Sequence, residues 1–193
     1  MFNPNIHHRR SIRLKEYDYS QEGVYFVTIC TEKKECLFGD IVNGKMVLND
    51  AGKIVDQCWL EIPQHFSNVQ LHEHIVMPNH VHGIIEITNR GVGANYYSPN
   101  DDTNGYNKRA NNHSPLRPAQ TFRSPSKTVG SIVRSFKIGA TKWFRQNTDI
   151  YVVWQRNYYE HIIRNGNSYQ KIAEYIVTNP AKWADDKFYV APK

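Results

Sequence analysis

The residues with the clearest capacity for chemistry are His80 and His82, which are separated by a single valine. In a β-strand, residues i and i+2 point to the same face, so the two imidazoles would project side by side. Two neutral imidazoles at this spacing can hold one divalent cation. Histidine pairs in strands also serve as packing or surface residues, so this pair indicates a metal site only if further ligands converge on it.

Tyr175 and Asn179 form a second pair of reactive groups, in a predicted helix near the end of the chain. They are four residues apart and therefore lie on one helix face, one turn from each other. The apolar stripe of this helix includes Ile172 and Ile176, and the pair borders that stripe. Both side chains can therefore face a cleft, where the Asn179 amide oxygen could complete a metal site beside the Tyr175 hydroxyl.

Patterns of apolar residues predict the elements that must position these groups. Residues 23–31 are a β-branched and aromatic run, typical of a central strand buried on both faces. Pro78-Asn79 separates two strands so closely that they must form an antiparallel hairpin, and Pro180 is expected to stop the last helix. Further strands are predicted at 40–42, 45–48, 69–77, 80–87, 151–154 and 158–163, with helices at 51–62, from 128 onwards and at 168–179.

This order of elements predicts an α+β fold, in which helices pack on an antiparallel sheet. The length of 193 residues fits a single domain over residues 1–193. At residues 89–126 the composition changes to Asn, Ser, Pro and Gly, which predicts a mobile insertion with poor order at 91–121. Residues 1–20 are predicted to form a basic arm.

The formal net charge of +6 and the pI near 9.2 favour an anionic partner, although many basic proteins do not bind nucleic acid. No run approaches the roughly 20 apolar residues of a membrane span, and residues 1–15 lack the apolar stretch of a signal peptide. We therefore expect no membrane partner and a cytoplasmic location. The three cysteines include no C-x-x-C pair and predict no disulfide framework.

Several stretches together resemble the REP-associated tyrosine transposases, a branch of the single-tyrosine HUH transposases. They extend over nearly the whole chain apart from residues 89–121, and together they are far more specific than the histidine pair alone. The matching stretches are RRSIRLKEYDYS (9–20), YFVTICT (25–31), VMPNHVHGII (76–85), FRSPSKTVGSIVRSFK (122–137), WQRNYYEHIIRN (154–165) and YIVTNP (175–180).

The resemblance implies a ferredoxin-like antiparallel sheet with helices packed on it. It implies that His80, His82 and Asn179 hold one divalent metal, Mg²⁺ or Mn²⁺, although many relatives carry glutamine in place of Asn179. It also implies that Tyr175 is the catalytic nucleophile, which cleaves and rejoins DNA through a 5′-phosphotyrosine intermediate. The partner would be single-stranded or hairpin DNA, and the protein would act as a monomer or a homodimer.

Tyr158 and Tyr159 are the alternative nucleophiles. Their strand-like context beside Trp154 favours packing or base stacking instead. Tyr175 has a residue capable of binding metal one helical turn away, which favours it over the other two.

Basic residues in three parts of the chain are candidates for contacts with DNA phosphates. One group lies on the N-terminal arm, a second on the cationic face of the helix that begins at 128, and a third in a stretch that matches the family. A solvated tail and a solvated helix face are the alternatives. The candidates are Arg9, Arg10, Arg13, Lys15, Arg134, Lys137, Arg156 and Arg164.

Two other functions remain open at this point. A sheet with exposed aromatic residues could bind single-stranded nucleic acid without cutting it. A metal hydrolase could activate water at His80 and His82, but it would not need Tyr175 and would leave no covalent adduct with DNA. A structural zinc site is the weakest alternative, since no Cys and His set has zinc-finger spacing.

Overall fold

The computed structural model describes residues 21–88 and 127–190. The predicted basic arm at 1–20 and the predicted mobile insertion at 89–126 lie outside the described residues. So do four of the candidate DNA contacts, Arg9, Arg10, Arg13 and Lys15.

Six strands and four α-helices make up the described chain. Short 3₁₀ turns follow β1 and α4, at Glu32–Lys34 and Asn179–Asp185. No helix within the described ranges is long and apolar enough to cross a membrane. The elements are β1 (Gly23–Cys30), β2 (Gly39–Val42), β3 (Lys45–Leu48), α1 (Asp50–Leu60), α2 (Ile62–His65), β4 (Val69–Met77), β5 (His80–Ile87), α3 (Val129–Asn147), β6 (Tyr159–Ile163) and α4 (Gly166–Thr178).

Four strands form one antiparallel sheet in the order β4-β5-β1-β6, and β2 and β3 pair as a separate hairpin. Leaving out that hairpin and the short α2, the chain runs β1, α1, β4, β5, α3, β6, the ferredoxin-like succession of strands and helices. The predicted α+β class and ferredoxin-like sheet are therefore confirmed. β1 lies between β5 and β6 and is buried from Tyr25 to Cys30, as the near absence of polar breaks in its sequence predicted.

The two faces of the sheet are covered differently. α1 and α3 pack on one face, where the main hydrophobic core contains Trp59 and Phe136. α4 packs on the other face, where Ile176 meets Phe26 and Ile84 in a smaller cluster. His80 and His82 alternate with Val81 along β5 and share the face of Ile84, so they lie on the side covered by α4.

Gly83 makes room for the main core directly beside His82. A Cβ atom at this position would lie 2.2 Å from the Trp59 ring, a distance that real Cβ contacts essentially never show. The absence of a side chain at 83 therefore lets the indole pack against the backbone of β5.

One of the sequence predictions differs from the structure. Residues 151–154 do not form a regular strand; they make one isolated bridge, between Thr31 and Trp154, because Val153 and Trp154 turn inward while Tyr151 and Val152 are exposed. The last helix ends at Thr178, just before Pro180, as predicted, and Pro180 then lies in the first turn of the 3₁₀ helix that follows, where no N–H is needed.

Candidate active site

The two histidines of β5 are both fully buried, and their ring centroids are 4.4 Å apart. They lie on the same face of the sheet, as their i, i+2 spacing predicted. Burial lowers the pKa of His80 to about 4, and burial together with its neighbour His80 lowers the pKa of His82 well below 6.5. Both imidazoles are therefore neutral near pH 7, which is the form that binds a metal.

Asn79 fixes which ring nitrogen of His80 is available. The Asn79 amide nitrogen donates to the carbonyls of Lys34 and Phe188, at 3.1 and 2.8 Å, so its Oδ1 is the acceptor. That Oδ1 lies 2.9 Å from His80 Nδ1, which must carry the proton and donate it. His80 Nε2 is left with a lone pair, and it is buried with no hydrogen-bond partner among the described residues.

His82 is held in the same way from the neighbouring strand. Its Nδ1 lies 2.9 Å from Thr28 Oγ1, and Thr28 is its partner across the β1–β5 ladder. Its Nε2 lies 3.1 Å from the Tyr175 hydroxyl oxygen, whose one proton is donated to Asp186 Oδ2. Both histidines thus direct Nε2 away from their Nδ1 partners; Nε2 of His80 has no described partner, and Nε2 of His82 contacts Tyr175.

Tyr175 projects from α4 over this pair, with 37% of its surface exposed. Its ring lies 5.1 Å from that of His82 and 6.3 Å from that of Phe26, centroid to centroid. Burial and the nearby Asp186 carboxylate raise the pKa of Tyr175 to about 12, so the phenol keeps its proton at neutral pH.

The other two candidate tyrosines are placed differently. Tyr159 is exposed at the start of β6 on the histidine face, and its ring packs edge-on against Phe26 at 6.3 Å. Tyr158 packs toward the opposite face with the main core, and its hydroxyl donates to Glu160 at 2.9 Å. Of the three, Tyr175 is the one whose hydroxyl contacts a histidine of the pair.

Asn179 lies at the C-terminal end of α4, one turn beyond Tyr175, and it is almost fully buried. Its amide nitrogen donates to Asp186 Oδ2 at 2.9 Å. Its Oδ1 is buried, and no described residue donates to it. The amide oxygen is therefore a second polar atom in this region that lacks a partner.

Asp186 is a member of the site that the sequence analysis did not find. Its Oδ2 accepts from the Tyr175 hydroxyl at 3.2 Å, and its Oδ1 accepts from the Phe188 backbone N–H at 2.7 Å. One ligand atom each from Asp186, His80 and His82 lie within 4.8 Å of one another. Asp185-Asp186-Lys187 reads as an ordinary charged surface run, so no periodic signal marks this residue.

The segment after α4, residues 179–190, covers the histidines on the side away from the sheet. Phe188 lies 4.6 Å from the His80 ring, and Trp183 lies 6.0 Å from it, centroid to centroid. We call residues 179–190 the C-terminal segment. It excludes water from His80 while Tyr175 stays partly open.

His72 and His74 lie on β4 outside this cluster. His72 pairs with Glu86 at 2.8 Å, and His74 pairs with Asp56 at 2.9 Å while stacking on Trp59. Both imidazoles are therefore engaged in contacts within the fold.

A cationic groove lies on the opposite face of the molecule, along the outer side of α3. It has a volume of about 740 Å³, and Tyr158 lies at its wall. The cations that line it are Arg134, Lys137, Lys142, Arg145 and Arg156. Three of the predicted DNA contacts thus share one groove, whereas Arg164 is exposed just after β6.

Lys137 differs from the other cations of the groove. Its ammonium donates to the carbonyls of Gln155 and Asn157, at 2.7 and 3.1 Å, and thereby ties α3 to the segment that carries Arg156. Burial lowers its pKa to about 8. Two of its three donors are used within the protein, so it has less capacity for a phosphate than Arg134 or Arg156.

The fold is similar to that of the REP-associated tyrosine transposase solved in complex with a REP hairpin, with a TM-score of 0.54 and 18% identity over 89% of this chain and 73% of that one. This similarity confirms the resemblance at the level of the fold. A candidate transposase of Deinococcus radiodurans R1 gives a TM-score of 0.42, with 11% identity over 86% of this chain and 96% of that one.

In sequence, the chain is 50% identical over 190 residues to an uncharacterized protein of Haemophilus influenzae, which covers 98% of this chain and 97% of that protein. The chain belongs to the same family as the Haemophilus influenzae protein. No family model matches the chain.

Proposed function

We propose that this protein is a metal-dependent DNA transposase, which cleaves and rejoins single-stranded DNA through a covalent bond between Tyr175 and phosphate. The observation that carries the proposal is the position of the Tyr175 hydroxyl, 3.1 Å from Nε2 of a buried histidine in a paired site. The fold, which is similar to that of a tyrosine transposase, gives the proposal its reaction class.

The side chains fit a divalent cation. His80 Nε2 and Asn179 Oδ1 are buried acceptors without a donor among the described residues, and such atoms are rare in folded proteins. Both histidines are neutral, and the Asn79 and Thr28 contacts hold their Nδ1 atoms away from the site. A mixture of imidazole and oxygen donors suits Mn²⁺ and also accepts Mg²⁺. When bound, the metal would supply stabilisation of the negative charge that develops on the phosphate oxygens.

In the proposed reaction, the Tyr175 oxygen attacks the phosphorus of a DNA phosphodiester. The new bond joins the tyrosine oxygen to phosphorus, and the bond from phosphorus to the 3′-oxygen breaks. The phenolic proton is released to water, and the departing 3′-oxygen takes a proton from water. The products are a 5′-phosphotyrosine and a 3′-hydroxyl, and attack by a 3′-hydroxyl on the phosphotyrosine rejoins DNA without ATP.

Single-stranded or hairpin DNA is the proposed substrate. The solved transposase of similar fold is bound to a REP hairpin, and this chain carries a formal net charge of +6. Arg134, Arg156 and Arg164 are the proposed phosphate contacts within the described residues, with a smaller role for Lys137. Arg9, Arg10, Arg13 and Lys15 of the N-terminal arm extend this set, and the protein acts as a monomer or a homodimer.

The test is the formation of a covalent adduct. The full chain is incubated with Mn²⁺ and single-stranded hairpin DNA whose flanking sequences are randomised, and DNA that resists denaturing separation from protein is recovered and sequenced. We expect adduct with the wild-type protein and none with Tyr175→Phe, which removes the hydroxyl and leaves the ring contacts with Phe26 and His82 in place.

Tyr158→Phe and Tyr159→Phe are the matched controls and should keep adduct formation. Cleavage by Tyr175→Phe but not by one of the controls would assign the nucleophile to Tyr158 or Tyr159. Cleavage by all three variants without any adduct would favour a hydrolase that uses water. Binding of hairpin DNA by the wild-type protein without cleavage would favour a nucleic-acid-binding protein that lacks catalysis.

A further inference from the structure

We propose that Asp186 is a ligand of the metal, so that the site holds its cation with two imidazoles, one carboxylate and the Asn179 amide. The inference rests on the metal site of the proposed function and adds to it a residue from the C-terminal segment. Asp186 lies 11 residues beyond Tyr175 and reaches the histidines because this segment folds back over them.

The distances allow one cation to contact all three charged or aromatic ligands. Ligand atoms of His80, His82 and Asp186 lie within 4.8 Å of one another. Two atoms bound to one metal at about 2.0–2.2 Å lie at most about twice that distance apart. Small shifts of the side chains therefore suffice to bring all three ligand atoms to one cation. His80 Nε2 and Asn179 Oδ1 supply independent evidence for a cation here, since both are buried acceptors without a described donor.

The Asp186 carboxylate keeps capacity for a cation. A carboxylate has about four lone-pair positions. Three of them are taken by donors, namely the Tyr175 hydroxyl, the Asn179 amide and the Phe188 N–H. No salt bridge joins Asp186 to a lysine or arginine in the ranges 21–88 and 127–190. A half-buried carboxylate beside two neutral imidazoles therefore has one position open and no cationic side chain paired with it.

Asn179 and Phe188 hold this carboxylate from opposite ends. Asn179 Nδ2 binds Oδ2, which leaves Asn179 Oδ1 as its own candidate ligand atom, and the Phe188 N–H binds Oδ1. Such outer contacts orient a ligand before the metal arrives. The same carboxylate accepts from the Tyr175 hydroxyl at 3.2 Å, so the proposed metal lies next to the proposed nucleophile.

Metal binding by the full chain tests the inference without any DNA. Mn²⁺ affinity is measured by calorimetry for the wild type, His80→Ala, Asp186→Asn and Asp185→Asn. Asp186→Asn keeps the size of the side chain and an oxygen that accepts from Tyr175 or Phe188, so the fold should survive, and melting without metal checks this. Asp185→Asn removes the same charge from the exposed neighbouring residue.

We expect one Mn²⁺ per chain for the wild type, loss of binding in His80→Ala, and affinity about 10–100-fold weaker in Asp186→Asn, with Asp185→Asn unchanged. The visible spectrum of the Co²⁺-loaded protein should also change in Asp186→Asn, because the spectrum reports the ligands themselves. Wild-type affinity and an unchanged Co²⁺ spectrum in Asp186→Asn would overturn the inference and leave the histidine site standing. No Mn²⁺ binding by the wild type would overturn both the inference and the metal dependence of the proposed function.

Discussion

Both the oxygen and the nitrogen of the Asn79 side-chain amide make hydrogen bonds within the fold. It accepts from His80 Nδ1 and donates to two backbone carbonyls, one of Lys34 and one of Phe188. One residue of the β4–β5 turn therefore sets the tautomer of a proposed ligand and also fixes the C-terminal segment. In the sequence, Asn79 follows Pro78 between two predicted strands, a pattern that indicates only a turn residue.

We expect Asn79→Ala to reduce the free energy of unfolding by about 1–3 kcal/mol, because buried groups lose their partners. Mn²⁺ affinity should fall about 10–100-fold, because the His80 ring loses the contact that orients it. Urea unfolding and calorimetry measure the two effects. Asn147→Ala is the control, since that amide is exposed at the end of α3 and, within the described part of the chain, donates only to the Trp143 carbonyl. Equal losses in the two variants would contradict this account.

The sequence predicted part of the site and missed the rest for a physical reason. Strand alternation places His80 and His82 on one face, and helical spacing places Tyr175 and Asn179 one turn apart, so local geometry decides both pairs. Asp186 enters through the return of the C-terminal segment over the sheet. That return depends on the packing of Trp183 and Phe188 and has no period in the sequence.

At the scale of elements, β5 carries the histidines on one face and the main core on the other. The position of β5 against α1 is fixed by the close packing of the Trp59 ring on Gly83. The strands with clear alternation or clear turns, β3, β4 and β5, have the bounds that the sequence predicted. Residues 151–154 were wrongly predicted as a strand, because apolar β-branched and aromatic residues also occur in irregular segments that bury only some of them.

Gly83→Ala should destabilise the protein by about 1–3 kcal/mol, because the added methyl would overlap the Trp59 ring and force α1 or β5 to shift. A shift of β5 should also weaken Mn²⁺ binding, since His82 is the preceding residue. Unfolding in urea measures the first effect. Gly166→Ala provides the comparison, because a Cβ at the start of α4 meets nothing within 4 Å. A neutral Gly83→Ala would show that the indole can move aside freely.

At the scale of the whole molecule, the cationic groove and the proposed active site lie on opposite faces of the sheet. The cationic groove lies along α3 over the main core, and Tyr175 and the histidines lie under α4 and the C-terminal segment. Composition predicted an anionic partner from the net charge. The division between the two faces could not be predicted, because it depends on which side of the sheet each helix packs.

Arg156→Ala should weaken the binding of hairpin DNA at low salt and make the salt dependence shallower, by about one in the slope of log K against log salt concentration. The variant lacks one phosphate contact, so the DNA releases about one counterion fewer when it binds. Binding measured at several salt concentrations gives this slope. Lys53→Ala is the control, since the Lys53 ammonium is exposed on α1 and paired with Asp50 at 2.9 Å. Equal slopes for Arg156→Ala and the wild type would exclude Arg156 as a phosphate contact.

β6 forms the edge of the sheet, and the chain passes from Tyr158 on the groove side to Tyr159 on the histidine side at its start. A DNA molecule that occupied the groove and reached Tyr175 past β6 would bend around this edge. Duplex DNA is stiff over about 150 base pairs, so unpaired nucleotides have to make the turn. The thickness of the sheet would then determine how many unpaired nucleotides separate the base-paired stem from the phosphate that is cut.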